Sequence, residues 1–396
     1  MTAPTFWPLG PDGVEDPYPA YTHERAGRRL RPVPELGVWV ATGHREVEEL
    51  LRDERCGAAP VPAPEDLGGG EPTRGMPLHR TLERMASLSH PPRHTRVRRP
   101  LQRAFAPVNV RPWRQDTRAL ADNLLSRSVG DPLEVVGEFA EPLVGAVLDA
   151  MLRLPPGEGA TIRHAWRRAA AAVDRPELGR DDDAPRLVVG VHERIALQLR
   201  QVRADPGSAP IDVLLEAAAT EPDLTEQELV ANLIFVLTSG HRSASQGLAL
   251  AIHSLARQAD QFGRLRTDPE LIPGAVEELL RYDGAVQMTS RVIGADVQVA
   301  GRSVPAGKLA VLIMGAANRD PEVFPDGDRL DVTRPRSARH LSFGRGPHLC
   351  VGAALSRMLM AEGLGALAAR APRLEVRGAP VWTTARRGFE RLEVAW

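Results

Sequence analysis

The clearest chemical potential lies in the stretch Phe343-Gly344-Arg345-Gly346-Pro347-His348-Leu349-Cys350-Val351-Gly352. Gly344 and Gly346 permit tight turns and a close approach of the backbone to a flat ligand. Cys350 comes just before a helix that the pattern predicts from Ala353 to about Arg370. At a helix N-terminus the dipole and the unbonded N–H groups favour a thiolate. A thiolate held in that way suits a haem iron, where it pushes electron density toward O–O cleavage. A lone cysteine beside a turn is more often a buried structural side chain. The other cysteine, Cys56, is read in that way, as a small hydrophobe.

Three further groupings could do chemistry. Ser239-Gly240-His241-Arg242-Ser243 lies inside a long apolar segment and offers hydroxyls, a glycine and a guanidinium. Arg242 cannot release a proton at ordinary pH. His94 and Arg98 stand one helical turn apart, so both can grip one carboxylate through charge-assisted hydrogen bonds. Glu278 and Arg281 are spaced for an ion pair on one helix. Any of these charged pairs alone would read as a solvated helix face.

The elements that must position these groups are mostly helical. Residues 17–29 read as a short helix, Val38 to Ala41 as a strand and Arg45 to Arg52 as a helix. Residues 57–76 are rich in Gly and Pro and read as a loop. Thr225 and Glu228 form a capping box. Leu229, Val230, Leu233, Ile234, Val236 and Leu237 follow at helical spacing, and the pattern continues past Gly240 to Ile252. A helix this long and apolar should cross the middle of the protein. Strand signals appear only at 291–300, 303–313 and near the C-terminus, and 322–342 reads as coil. The fold class expected is mainly α with a minor β part.

Bulk properties exclude several classes. The chain has 50 Lys plus Arg against 51 Asp plus Glu, so no global charge argues for nucleic acid or an anionic membrane. Two cysteines make a disulfide framework implausible and fit a reducing cytosol. Met1 to Gly13 lacks a basic n-region and an apolar h-region, and no apolar run approaches the ~18 residues of a membrane span. The expectation is a cytoplasmic protein.

The Cys350 loop resembles the haem-binding signature of the cytochrome P450 family at Phe343, Gly344, Gly346, His348, Cys350 and Gly352. The resemblance covers nearly the whole chain and implies that residues 1–396 form a single large domain of cytochrome P450 fold. It implies haem b as cofactor, with Cys350 as the iron's ligand. Phe343, Gly344, His348 and Gly352 shape the cofactor site, and His94, Arg98, Arg291 and His348 meet the propionates. Pro100 departs from the family's pattern in the helix that carries His94 and Arg98. Glu278 and Arg281 resemble the family's buried Glu-x-x-Arg helix, with Arg329 expected to close a Glu-Arg-Arg triad. Leu330 stands where the family usually has an aromatic residue.

The resemblance is imperfect above the haem. The family shows Ala-Gly-x-acid-Thr in its central helix, where acid and alcohol relay protons to dioxygen. Here Gly240 remains, Ser243 keeps the alcohol and Arg242 replaces the acid. Ser239, Gly240, Arg242 and Ser243 are the candidate catalytic residues, and His241 is expected to point away from the haem. Either Arg242 turns to a carboxylate elsewhere, or it faces the pocket and binds an anionic substrate. The resemblance also suggests pocket residues in the loop 60–88, at Val236 and Ser239, from Val286 to Thr289 and near Gly388-Phe389, with Gln287 and Thr289 adding polarity.

The function expected is oxidation of a small organic molecule, in natural-product biosynthesis, with O2 and electrons from a ferredoxin and its reductase. The altered relay favours coupling, desaturation or ring formation over plain hydroxylation. Arg339, Arg345, Arg96 and Arg99 are candidates for the electron-donor surface. Two alternatives stand: a peroxide-using peroxygenase with an anionic substrate, and a haem-binding recruiting module without oxygen activation.

Overall fold

The computed structural model describes residues 15–58, 77–128, 132–174, 183–335, 337–383 and 387–396. Most of the loop expected over 57–76, and the first part of the pocket loop 60–88, lie outside the described residues.

In chain order the principal elements begin with α1 (Tyr18–Gly27), β1 (Leu30–Val33), β2 (Val38–Ala41), α2 (His44–Arg52) and β3 (Cys56–Ala58). Then come α3 (Pro77–Glu83), α4 (Arg93–Ala104), α5 (Arg114–Ser126), β4 (Leu133–Glu134), α6 (Glu141–Met151), α7 (Glu158–Asp174), α8 (Ala184–Ala204) and α9 (Pro210–Ala219). The central helical run follows as α10 (Glu226–Phe235), a wider π turn at Val236–Gly240, and α11 (His241–Ala256). The C-terminal part holds α12 (Ala259–Thr267), α13 (Ile272–Tyr282), β5 (Thr289–Ile293), β6 (Val297–Val299), β7 (Arg302–Val304), β8 (Leu309–Leu312), α14 (Ala353–Arg370), β9 (Glu375–Trp382) and β10 (Phe389–Ala395). Gly57 and Ala58, expected in the loop, belong to β3.

The helix starts follow local chemistry. Thr225 and Glu228 exchange capping hydrogen bonds at α10, with the Glu228 N–H donating to Thr225 Oγ1 at 3.2 Å and the Thr225 N–H donating to Glu228 Oε2 at 3.0 Å. The long apolar helix is not uniform: it widens at Val236–Gly240, a distortion that often marks functional sites. Pro100 does not stop α4, which runs on to Ala104.

Two compact units form. One gathers the described residues of Met1–Gly57, Trp113–Leu143 and Ser243–Trp396, the other those of Ala58–Pro112 and Val144–Arg242. The first unit holds an extensive apolar core, in which Leu248, Leu250, Ile252, Leu279, Leu364 and Leu367 pack with Phe139 and Phe389. α14 is buried along nearly its whole length, so its head is anchored. The same unit carries a five-stranded sheet of order β1-β2-β8-β5-β3, with β2 and β8 parallel. In the second unit α4 packs on α9, and α8 on α7.

Candidate active site

The Cys350 loop lies in the first unit. The Cys350 N–H donates to the Phe343 carbonyl at 2.8 Å, closing the loop on itself. Gly344 and Gly346 have φ of 70° and 68°, a region that L side chains rarely adopt. A side chain at Gly346 would also meet the Leu51 carbonyl oxygen at 2.5 Å. The loop therefore needs glycine there for two reasons, backbone hand and space. Cys350 is exposed at its end, and α14 starts three residues later. Phe343 and His348 are half-buried on the same loop.

A polar network holds the loop in place. Glu278 and Arg281 form a bidentate pair at 2.7 and 2.8 Å, with both side chains fully buried. The third member of the cluster is Arg334, whose Nε donates to Glu278 Oε1 at 3.0 Å. Arg329 does not close the triad, contrary to the sequence expectation: it is exposed and contributes only its carbonyl, which accepts from Arg281 and Arg334. The coil turns between them, so the guanidinium that returns to Glu278 is the one five residues further on. Arg281 also donates to the Asn318 carbonyl at 2.9 Å. Asn318 in turn accepts from the Leu341 N–H at 2.6 Å and donates to Ser342 Oγ at 2.8 Å, at the start of the loop. The buried pair is thus tied to the cysteine loop through one asparagine.

Glu277, one residue earlier, serves the loop's other side. It pairs with Arg357 at 2.5 Å and lies 3.3 Å from His340 Nε2. The Arg357 guanidinium sits 4.6 Å from the centre of the Phe343 ring. Burial alone would raise the Glu277 carboxyl, but hydrogen bonds and charge from His340 and Arg357 outweigh it and pull it down to about 2. Burial lowers the proton affinity of His340 while Glu277 raises it, burial being the larger effect, and its Nδ1 accepts from the Ser342 N–H at 3.1 Å. Neither Glu277 nor His340 was marked by any motif.

Arg291 is buried on β5. Its Nη1 donates to Thr289 Oγ1 and to the Ser290 carbonyl, while its buried Nε has no hydrogen-bond partner. No carboxylate among the described residues lies within ion-pair distance of it, and burial lowers its proton affinity. A buried guanidinium in that state calls for an anion. Cys56 is buried, as expected, and burial raises its thiol to about 11, so it stays protonated.

The expectation that Gln287 adds polarity to a pocket does not hold. Its side chain is buried and donates to the Gly284 carbonyl and the Tyr18 hydroxyl. Nearby Val286 is 43% exposed, and Thr289 is half-buried. The Gly388-Phe389 turn is clamped by Gln246 of α11, which accepts from the Phe389 N–H at 2.7 Å and donates to its carbonyl at 2.9 Å. Arg387, beside it, forms a buried pair with Asp283 at 2.7 Å. Sequence reasoning missed both anchors. Ser243 is half-buried in the first turn of α11.

In the second unit, His94 is buried and Arg98 half-buried on α4. Ser239 and Gly240 end the π turn, and Arg242 is half-buried just after it. His241 is buried, and a side-chain atom at Gly145 would lie 3.4 Å from its Nε2, so its ring faces α6. Of the arginines suggested for an electron-donor surface, Arg96 is bound to Glu228 at 2.8 Å, and Arg345 spends its donors on the Gly344 and Ala338 carbonyls. Arg99 and Arg339 are exposed.

The helix-rich chain with its small sheet has the cytochrome P450 fold. Solved structures of the same fold include P450BioI in complex with an acyl carrier protein ligated to hexadec-9Z-enoic acid. That match has a TM-score of 0.86 at 27% identity and covers 97% of this chain and 100% of that one. The structure of epothilone D-bound P450epoK matches with a TM-score of 0.84 at 26% identity, covering 99% of both chains. The family model for cytochrome P450 matches residues 191–368. Cytochrome P450 107B1 of Saccharopolyspora erythraea is 31% identical over 386 residues, 95% of this chain and 93% of that protein. Nocardicin C N-oxygenase of Nocardia uniformis subsp. tsuyamanensis is 32% identical over 389 residues, 96% and 95% of the two chains. The chain belongs to the cytochrome P450 family and is an oxidoreductase.

The family implies a haem cofactor, and two features of this chain fit one. Cys350 is an exposed cysteine three residues ahead of α14, a helix buried along most of its length. Arg291 is a buried cation whose Nε lacks a partner, which a propionate would supply. No described helix is long and apolar enough to cross a membrane.

Proposed function

We propose that this chain is a cytoplasmic haem-thiolate oxygenase that oxidises a small organic molecule in natural-product biosynthesis, with electrons from a ferredoxin and its reductase. When bound, haem b supplies the oxygen-activating chemistry. Cys350 would hold the iron through sulfur, in a loop whose glycines permit its tight turns. His94, Arg98, Arg291 and His348 would hold the propionates, and Phe343, Gly344 and Gly352 would shape the thiolate side. The observation that carries this reading is Cys350, exposed directly before α14 with its N–H bonded back to Phe343. The relatives support the substrate class, since one is named for the N-oxygenation of nocardicin C and another is solved with epothilone D bound. The interleaved segments of the two units support reading residues 1–396 as one domain, because neither unit can be excised as one continuous piece.

The distal side carries an atypical proton relay. Ser243 holds and passes the proton, while Gly240 and Ser239 lie at the end of the π turn that widens the helix. Arg242 replaces the family's acid and holds the anionic group of the substrate, which then stands close to Ser243. With no acid beside Ser243, coupling, desaturation or ring formation is favoured over plain hydroxylation.

The test is the absorption spectrum of the reduced, CO-bound protein. Wild type should give the thiolate-type Soret band, and Cys350→Ala and Cys350→His should lose it. An unchanged band in either variant overturns the assignment.

A further inference from the structure

Arg357 is the fifth residue of α14 and lies seven residues past Cys350. The N-terminal part of a helix favours anions, so the helix dipole gives this cation no reason to be there. Helical side chains tilt toward the N-terminus, so Arg357 reaches back toward the cysteine loop. Its guanidinium carbon lies 4.6 Å from the centre of the Phe343 ring. A guanidinium over an aromatic face is attracted by the ring's electrons. Phe343 is also the residue whose carbonyl accepts from the Cys350 N–H at 2.8 Å. One aromatic ring and one hydrogen bond thus connect Arg357 to the sulfur-bearing residue.

One acid opposes this cation. Arg357 Nε donates to Glu277 Oε1 at 2.5 Å and its Nη2 to Oε2 at 2.9 Å, a bidentate pair that bridges α14 and α13. His340 stands 3.3 Å from the same carboxylate, and its ring centre is 5.6 Å from that of Phe343. Three side chains from separate stretches of chain therefore converge around Phe343. Glu277 and Arg357 are both half-buried, and charges partly out of water act on their surroundings more strongly than exposed ones do. Glu278 and Arg281 already anchor the loop by a separate route, through Asn318.

Taking Cys350 as the iron's ligand, as proposed above, we propose that Arg357 and Glu277 are positioning residues that set the reduction potential of the bound iron. Arg357 keeps the Phe343 carbonyl on the Cys350 N–H, and its charge acts on the sulfur. One-electron reduction adds a negative charge to the iron and its thiolate. A nearby cation stabilises that charge, and a nearby anion opposes it. Arg357 therefore raises the potential and Glu277 lowers it. A purely structural pair has no such opposition of sign, because losing either partner would disturb the loop in the same way.

The experiment is a dithionite titration of the full chain, purified with its haem, in the presence of redox mediators and followed by absorption. The CO spectrum of each variant is recorded beside it. Arg357→Gln should lower the potential and Glu277→Gln should raise it, each by about threefold or more in the ratio of reduced to oxidised iron. Arg357→Lys keeps the charge without the planar fork, and should stay closer to wild type than Arg357→Gln. The double Gln variant should fall between the single ones. If Glu277→Gln yields no haem-containing protein, the two Arg357 variants still decide. Shifts of the same sign in the two single Gln variants, an unchanged potential in Arg357→Gln, or a shift in Arg357→Lys as large as in Arg357→Gln overturns the proposal. A wild type without the thiolate-type Soret band overturns the reading of Cys350 itself, whereas that band with unchanged potentials overturns only the role of the pair.

Discussion

At the scale of single residues, Arg242 and Ser243 separate this chain from the usual pattern of its family. Arg242 is half-buried directly after the π turn, next to Ser243, the hydroxyl proposed for the relay. A guanidinium holds an anion best through two parallel hydrogen bonds, and a contact of that kind is worth about 1.5–3 kcal/mol. Arg242→Ala should therefore weaken an anionic substrate by about tenfold or more, and leave its neutral amide or ester nearly unaffected. Arg242→Glu should reject the anion. Both variants should release more peroxide per NAD(P)H consumed. Spectral titration with the paired ligands checks this. If Arg242→Ala binds both as wild type does, Arg242 turns elsewhere and Ser243 works without it.

At the scale of elements, α13 is the frame of the cysteine loop. Successive residues of this helix divide the labour: Glu277 serves His340 and Arg357, and Glu278 serves Arg281, Arg334 and Ser337. Removing one partner of a buried ion pair costs about 3–5 kcal/mol, because a charge is left uncompensated. Glu278→Ala should therefore yield little folded, haem-containing protein. Arg334→Ala should lose stability measurably, whereas Arg329→Ala should stay within about 0.5 kcal/mol of wild type. Chemical denaturation of the two arginine variants distinguishes them. A larger loss at Arg329 than at Arg334 would restore the assignment made from sequence.

At the scale of the whole molecule, buried titratable groups set the acid limb of stability. Burial lowers His253 from 6.5 to about 4, where it packs beside the stacked rings of Trp382 and Phe389. Between those values the unfolded chain binds a proton that the folded chain refuses, so stability falls as pH drops from 6.5 toward 4. Burial also lowers His44, His192 and His340, so several histidines contribute in this window. Glu277 extends the loss further down. Its carboxyl lies at about 2 when folded against an ordinary 4.5, so its contribution is complete above 4.5 and disappears as pH falls toward 2. His253→Gln should give a shallower decline of the urea midpoint between pH 6.5 and 4. An identical slope in the variant would rule out His253 as a contributor.

The residues legible in the sequence are those whose partners are their chain neighbours. The Cys350 loop is contiguous, and its glycines answer to local backbone geometry. The start of α10 needs only Thr225 and Glu228, three residues apart, and the apolar repeat behind them needs only helical spacing. The pair Glu278–Arg281 is local in the same sense. What only the tertiary structure decided depends on contacts between distant segments. Arg334 rather than Arg329 reaches Glu278 because the coil between them turns, and coil has no periodicity from which to read direction. Asn318 joins the buried pair to the loop, Gln246 clamps Phe389 across 143 residues, and Gln287 turns inward to Tyr18.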